Sequence, residues 1–232
     1  MSTPSVSQYL VKTALRVNTS SEHEVVAMNR RAGEEQLVAL ARSSEVEEIW
    51  IYIEGTNAVG QKVTNWYEIG TEERKTRAEY ENEILLDILL LFQDGFETQI
   101  SVYHIHPQKS VSLASRAKVE TPSPEDVNQA FDDARIISEV GFNVTFDHRI
   151  VTGTGIYKAS LSKEVLQQPE EEFENYRDHV VSRTNTFRKF LSPTTAYVSG
   201  NDRDIAVQNQ SFAKALSQEP LFWLSFETFV MP

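Results

Sequence analysis

Two histidines stand one residue apart in the stretch Tyr103-His104-Ile105-His106-Pro107. The β-branched and apolar residues around them predict a strand, and side chains two positions apart on a strand point to the same face. The two imidazoles can therefore bind one metal ion together. A catalytic zinc site needs a third protein ligand and an open position for water. Asp126 is the natural third ligand, because a helix that begins just after the strand can return its first turn to the strand's end.

The His-x-His pair and the stretch that contains Asp126 can each be explained without a functional site. A His-x-His pair can simply be two polar residues on a partly exposed strand. The stretch Ser123-Pro124-Glu125-Asp126 has the features of a helix start, with a capping Ser, Pro at the first helical position and two acids in the first turn. The combination of the two motifs, in this order, favours a metal site.

The composition excludes several classes of function. The chain has no cysteine among its 232 residues, which excludes disulfides, thiolate metal sites, cysteine nucleophiles and the zinc deaminases that use a P-C-x-x-C motif. The net charge is −12 and no basic stripe is present, so we expect no direct contact with nucleic acid or an anionic membrane. The first residues lack the pattern of a signal peptide, and no apolar run approaches the roughly 20 residues of a membrane helix. We expect a cytoplasmic protein.

Hydrophobic periodicity predicts an α/β (α+β) chain with a mixed central sheet. Ser21 and Glu24 resemble a capping box for a first helix, which Gly33 is expected to interrupt before a helix resumes over 34–42. A long loop is predicted over 108–122. The predicted strands cover 46–55, 62–70, 98–106, 142–147 and 149–159, and the main helices cover 72–93 and 123–141.

The pattern divides the chain into three parts: an N-terminal arm over 1–30, a domain over 31–165 and a helical C-terminal extension over 166–232. In the extension, apolar residues at helical spacing follow Pro169, and Asn201 is a predicted cap for a further helix ending near Gln218. The last stretch, LFWLSFETFVM, is too apolar to remain in water, so it must pack on the domain or on a partner. One such partner is a second copy of the chain, so an oligomer formed through this segment is a possibility that the sequence leaves open.

The pattern H-x-H-P followed by S-x-x-D resembles the JAMM (MPN-plus) zinc metallopeptidases, also called JAB domains. The resemblance covers residues 31–162 and implies a three-layer domain of JAB/MPN type. Asp147-His148-Arg149-Ile150-Val151 and Gly155-Ile156-Tyr157 are similar to the RadC branch of this superfamily. The family also has a Glu at the head of an early strand. Glu48, which leads EIWIYIEG, fits that place, with Glu47 as the nearest rival.

The resemblance implies a peptidase mechanism. His104, His106 and Asp126 would hold a zinc ion that activates water, Glu48 would act as general base, and Ser123 would donate a hydrogen bond to the oxyanion. The family hydrolyses amide bonds in proteins or peptides, commonly an isopeptide bond to a ubiquitin-like protein. His148 is either an outer residue that orients a ligand or a structural histidine.

The loop between the two motifs departs from the family pattern. It has 15 residues, from Gln108 to Pro122, and is longer than usual. Such a loop is expected to be a lid or a substrate-shaping element, or else to block the site. Two alternatives to an active peptidase therefore stay open: an inactive JAB-fold scaffold and a RadC-like protein of DNA metabolism.

Overall fold

A computed structural model describes residues 29–56, 62–71, 98–109, 111, 116, 119–139, 144–190 and 201–229. Within these residues the chain forms one six-stranded sheet and five helices. The elements in chain order are α1 (Arg30–Ser43), β1 (Glu48–Thr56), β2 (Lys62–Thr71), β3 (Thr98–Ile105), α2 (Pro124–Glu139), β4 (Val144–Val151), β5 (Gly155–Leu161), α3 (Lys163–Leu166), α4 (Glu170–Phe190), α5 (Asp202–Leu216) and β6 (Phe222–Thr228).

The strands lie in the order β2-β1-β3-β4-β5-β6. All neighbours are antiparallel except β3 and β4, which are parallel and are joined through α2. This confirms the predicted mixed α/β chain with a mixed sheet. The predicted helix over 72–93 and the capping box at Ser21 lie outside the described residues.

Two hydrophobic clusters occupy the two faces of the sheet. On one face, Leu37, Val38 and Ala41 of α1 pack with Trp50, Tyr52, Trp66, Tyr103 and Ile105. On the other face, residues of α2, α4 and α5 pack with Ile150, Tyr157, Phe222 and Leu224. Since side chains alternate along a strand, each strand residue belongs to one face or the other, and its position in the register decides which.

Gly33 does not interrupt α1, contrary to the sequence prediction. The helix runs through it from an N-cap at Asn29, whose side chain accepts from the backbone N–H of Ala32. Gly33 lies against the indole of Trp66, where an added Cβ would meet a ring carbon at 2.3 Å. The glycine is therefore explained by a close approach of helix to sheet, and not by a helix end.

The break between the two closing strands also lies elsewhere than predicted. A single strand, β4, runs through His148, and the turn comes at Thr152 to Thr154. The Thr152 hydroxyl accepts from the backbone N–H of Thr154 (3.3 Å) and of Gly155 (3.1 Å). This local side-chain turn overrides the β-branched pattern that predicted a continuous strand there.

The C-terminal extension is not wholly helical. Helices α4 and α5 form where they were predicted, and Asn201 caps α5 by accepting from the backbone N–H of Asp204. The apolar ending forms β6, which pairs antiparallel with β5 at the edge of the sheet. Phe222 and Leu224 point into the core and Trp223 points outward, so the segment has the period of two that defines a strand. Among the helices of the described residues, none has the length and apolar character needed to span a bilayer.

Candidate metal centre

The first turn of α2 returns to the end of β3, as the sequence predicted. His104 is the penultimate residue of β3, and His106 follows the strand with its backbone N–H still bonded to the Val151 carbonyl of β4 at 2.9 Å. Asp126 belongs to the first turn of α2. His104, His106 and Asp126 thus form a group of three that could bind a metal ion, with one ligand atom from each lying within 4.8 Å of the others.

The Asp126 carboxylate lies between the two imidazoles. His104 Nδ1 is 2.8 Å from Oδ1 of Asp126, and His106 Nε2 is 3.2 Å from Oδ2. The rings are nearly perpendicular, with centroids 5.0 Å apart. His106 and Asp126 are buried and His104 is 15% exposed, so little water screens these contacts.

The charges in the group stabilise one another. Burial by itself lowers the pKa of His104, but the Asp126 and Glu47 carboxylates outweigh it and raise the pKa to about 10. Burial by itself raises the pKa of Asp126, but the two imidazoles hold it well below its usual range. In the absence of a metal, His104 is therefore an imidazolium at neutral pH and Asp126 a carboxylate.

A backbone carbonyl orients the ring of His106. Its Nδ1 lies 2.7 Å from the carbonyl oxygen of Val119, which can only accept, so Nδ1 donates. Nε2 then faces the Asp126 carboxylate at 3.2 Å, and it is the nitrogen that a metal ion between these side chains would contact. An outer hydrogen bond of this kind is the usual companion of a metal-ligating histidine, so the donor set fits a metal ion.

Ser123 and Asp126 form a reciprocal cap. The Ser123 hydroxyl accepts from the backbone N–H of Asp126 at 3.0 Å, and the Asp126 carboxylate accepts from the backbone N–H of Ser123 at 2.6 Å. Because the serine oxygen is the acceptor here, its own hydrogen can still be donated. The cap also fixes the orientation of the Asp126 carboxylate before any metal binds.

The structure does not bring Glu48 to the histidines. In the register of β1 and β3, Glu48 lies opposite Ile105, and Ile49 lies opposite His104. Glu48 therefore shares the face of Ile105, where its carboxylate accepts from the indole N–H of Trp50 at 3.1 Å. Glu47 is on the other face, and its Oε2 lies 3.3 Å from Nε2 of His104. The rival glutamate, Glu47, is the one beside the candidate ligands.

His148 contacts an acid of α2 and not the three ligands. Its Nδ1 lies 3.0 Å from Oδ2 of Asp133, and both side chains are buried. Gln129 donates to the other oxygen of Asp133 at 2.8 Å. His148 is on the same face as His104, one strand further along the sheet, so the geometry favours the structural interpretation of this residue.

Two participants were not found by sequence reasoning, and a third, Glu47, was ranked behind Glu48. The Val119 carbonyl is a backbone group and has no signal in the sequence. Arg188 of α4 interacts electrostatically with Asp126 and Glu125, while burial lowers its pKa. Glu47 could have been preferred from strand parity alone, had the pairing of β1 with β3 been known.

Comparisons with protein-family models, with curated proteins and with solved structures found no match to this chain. The likeness to the JAMM family therefore rests on the motif residues themselves.

Proposed function

We propose that this chain is a zinc metallopeptidase of the JAMM type, which hydrolyses a peptide or isopeptide bond. The observation that carries the proposal is the convergence of His104, His106 and Asp126 within 4.8 Å. Two imidazoles and a carboxylate are a donor set of catalytic zinc sites. In a tetrahedral site with bonds of about 2.0–2.1 Å, ligand atoms stand about 3.3 Å apart, so small side-chain movements suffice.

A zinc ion in this group would polarise the scissile carbonyl and lower the pKa of water to about 7. His104 would lose its proton on binding, since a ligand must be deprotonated. Asp126 would supply one oxygen, and its capping bonds with Ser123 would keep that oxygen oriented. Ser123 would turn its free hydroxyl hydrogen toward the oxyanion of the substrate.

We assign the general base to Glu47 in place of Glu48. A general base must come within hydrogen-bond reach of the proton that it removes. Glu47 is beside His104 and 17% exposed, whereas Glu48 is buried on the opposite face beside Trp50. Glu47 would accept a proton from the attacking water and deliver it to the leaving amine.

The expected substrate is a protein or peptide, with a ubiquitin-like protein as one candidate for the isopeptide reaction. The net charge of −12 argues against direct binding of nucleic acid, including in a RadC-like role. An inactive scaffold of the same fold is the alternative. The position of Glu48, the base that the resemblance implies, on the face away from the histidines favours this alternative.

The proposal is tested by assaying zinc-loaded protein on peptide and isopeptide-linked substrates, with Glu47→Gln and Glu48→Gln as a matched pair. We expect Glu47→Gln to lower kcat by about 10²–10⁴-fold while zinc content is unchanged. Glu48→Gln should retain most activity, because a glutamine oxygen can still accept from Trp50. Zinc-loaded wild type that cleaves no substrate in such a panel would overturn the peptidase and favour the scaffold.

A further inference from the structure

A carboxylate without any exposed surface lies beside the candidate metal centre, in the segment that was predicted as a long loop. The structure instead gives helical conformation at Arg116, Val119 and Glu120, the described residues around this carboxylate. Glu120 is 0% exposed. Its Oε1 accepts from Nε of Arg116 at 2.8 Å, and its Oε2 accepts from the Asn209 amide at 3.3 Å and from the Thr154 hydroxyl. A buried charge is stable only when it is paired and hydrogen-bonded, so these donors are what hold Glu120 in place.

The donors to Glu120 come from three different parts of the chain. Thr154 belongs to the turn between β4 and β5, and Asn209 belongs to α5 of the C-terminal extension. The Asn209 amide also donates to the Thr154 oxygen at 3.1 Å. Arg116 belongs to the same segment as Glu120, and its Nη1 reaches Asp202 at the start of α5 at 2.8 Å. The segment is therefore fastened to the extension at two points.

Glu120 is joined directly to the carbonyl that orients His106. The carbonyl of Val119 and the nitrogen of Glu120 belong to one planar peptide unit. A fixed Glu120 side chain therefore limits the rotation of that unit. The Val119 oxygen accepts from Nδ1 of His106 at 2.7 Å, so a rotation of the unit would break this bond.

We infer that Asn209 is a positioning residue for the metal centre, acting through Glu120 and the Val119 carbonyl on His106. This inference rests on the proposed metal site. It gives residues 108–122 a role, because Val119 in this segment supplies the carbonyl that accepts from Nδ1 of His106. It also makes α5 a component of the site, although no atom of α5 is among the three ligands.

An unpaired buried acceptor costs free energy. If the Asn209 amide is removed, Glu120 loses a donor in a region that water does not reach. The segment must then shift or admit water to satisfy the carboxylate. Either change moves the Val119 oxygen and weakens the bond that orients the His106 ring toward Asp126.

The test uses the full-length chain and measures the zinc dissociation constant by competition with a chelator. We expect Asn209→Leu to weaken zinc binding about 10–100-fold, the range for loss of an outer bond to a metal ligand. Thr154→Val should act in the same direction, and Thr154→Ser, which restores a hydroxyl, should recover wild-type affinity. The matched control is Leu216→Ala, a buried position two turns further along α5 that is expected to lower stability without changing zinc affinity.

A second measurement distinguishes positioning from general loss of structure. NMR of the metal-free protein reports the hydrogen bond at Nδ1 of each histidine, and the His106 Nδ1–H signal should shift in Asn209→Leu but not in Leu216→Ala. Unchanged affinity and an unchanged Nδ1–H signal in Asn209→Leu would overturn the inference, as would an equal loss in both variants. If wild type binds no zinc, the proposed function fails, and the Nδ1–H comparison still decides whether Asn209 positions His106.

Discussion

Asp126 has three roles at the residue scale, because its carboxylate contacts His104, His106 and the backbone of Ser123. Residue types and spacing were enough to predict this group of candidate ligands, since H-x-H fixes one face of a strand and S-x-x-D fixes the first turn of a helix. The proposed general base was harder to predict. A shift of one residue moves a side chain to the other face of a sheet, and the sequence of β1 does not reveal its register with β3. Glu48 and Glu47 could be separated only by the pairing of Ile49 with His104.

The raised pKa of His104 predicts how zinc affinity depends on pH. A pKa of about 10 means that the metal must displace a proton at every pH below that value. The apparent zinc affinity should therefore rise about tenfold per pH unit from pH 7 to 9, after correction for the chelator's own protonation. Competition titrations at several pH values measure this slope. An affinity that levels off above pH 7 would show that His104 titrates as an ordinary histidine.

The same pair predicts the pH dependence of stability in the metal-free protein. The His104 pKa is raised above its ordinary value of 6.5, so its contribution is complete below 6.5 and is lost as the pH rises through about 10. The Asp126 pKa is lowered below 3.8, so its contribution is complete above 3.8 and is lost as the pH falls through the folded value. Asp126→Asn should thus destabilise most between about pH 4 and 6.5, by up to about 3–5 kcal/mol. Denaturant unfolding of both proteins across pH measures the difference, and a constant difference from pH 4 to 10 would contradict the account.

At the scale of elements, the helices and strands that carry strong periodicity were predicted, and errors arose where one contact overrides a local preference. Gly33 is a helix breaker by propensity, but its place against Trp66 gives it a packing role inside α1. Thr152 favours a strand, but its hydroxyl makes the turn that ends β4. Trp66 cannot be identified from the sequence around Gly33, whereas the turn at Thr152 is local, and Gly153 and Gly155 are its signal in the sequence.

Gly33→Ala tests the packing of α1 on the sheet. Alanine is the better helix former by about 1 kcal/mol, so propensity alone predicts stabilisation. Its Cβ would meet the Trp66 ring at 2.3 Å, and we expect overpacking to prevail with a net destabilisation of about 1–2 kcal/mol. Gln36→Ala, at an exposed position of the same helix, should change stability by less than about 0.5 kcal/mol. A stabilised Gly33→Ala variant in denaturant unfolding would mean that the helix is not held this close to Trp66.

At the scale of the whole molecule, one sheet includes strands from both sides of residue 165. The sequence predicted a domain followed by a helical extension, because helix α4 separates β6 from the other strands along the chain. β6 pairs with β5 over seven residues, from Phe222 to Thr228. Helix α5 packs on the face of the sheet that carries Phe222 and Leu224. When a strand comes from a distant part of the chain, the only local sign of it is the alternation of apolar and polar residues along the strand. Most residues of LFWLSFETFVM are apolar, so this alternation is hard to see in the sequence.

Phe222→Ala tests whether the extension and the domain fold together. Phe222 is fully buried against Phe131 of α2, with ring centroids 5.6 Å apart. We expect a loss of about 3–5 kcal/mol, in a single transition that tryptophan fluorescence and circular dichroism report at the same midpoint. The exposed neighbour Trp223→Ala is the control and should cost far less. Two separate transitions, with only the second involving Trp50 and Trp66, would show that the extension is an independent unit.

The most direct test of the central claim is the metal content of the purified protein, measured by elemental analysis beside His104→Ala and His106→Ala. The account predicts about one zinc ion per chain in wild type, as a single site with three protein ligands holds one ion, and a loss of that zinc in both variants. Wild-type protein without zinc, after supplementation at about pH 9, where displacement of the His104 proton is easier than at neutral pH, would contradict the metal centre and every function proposed from it.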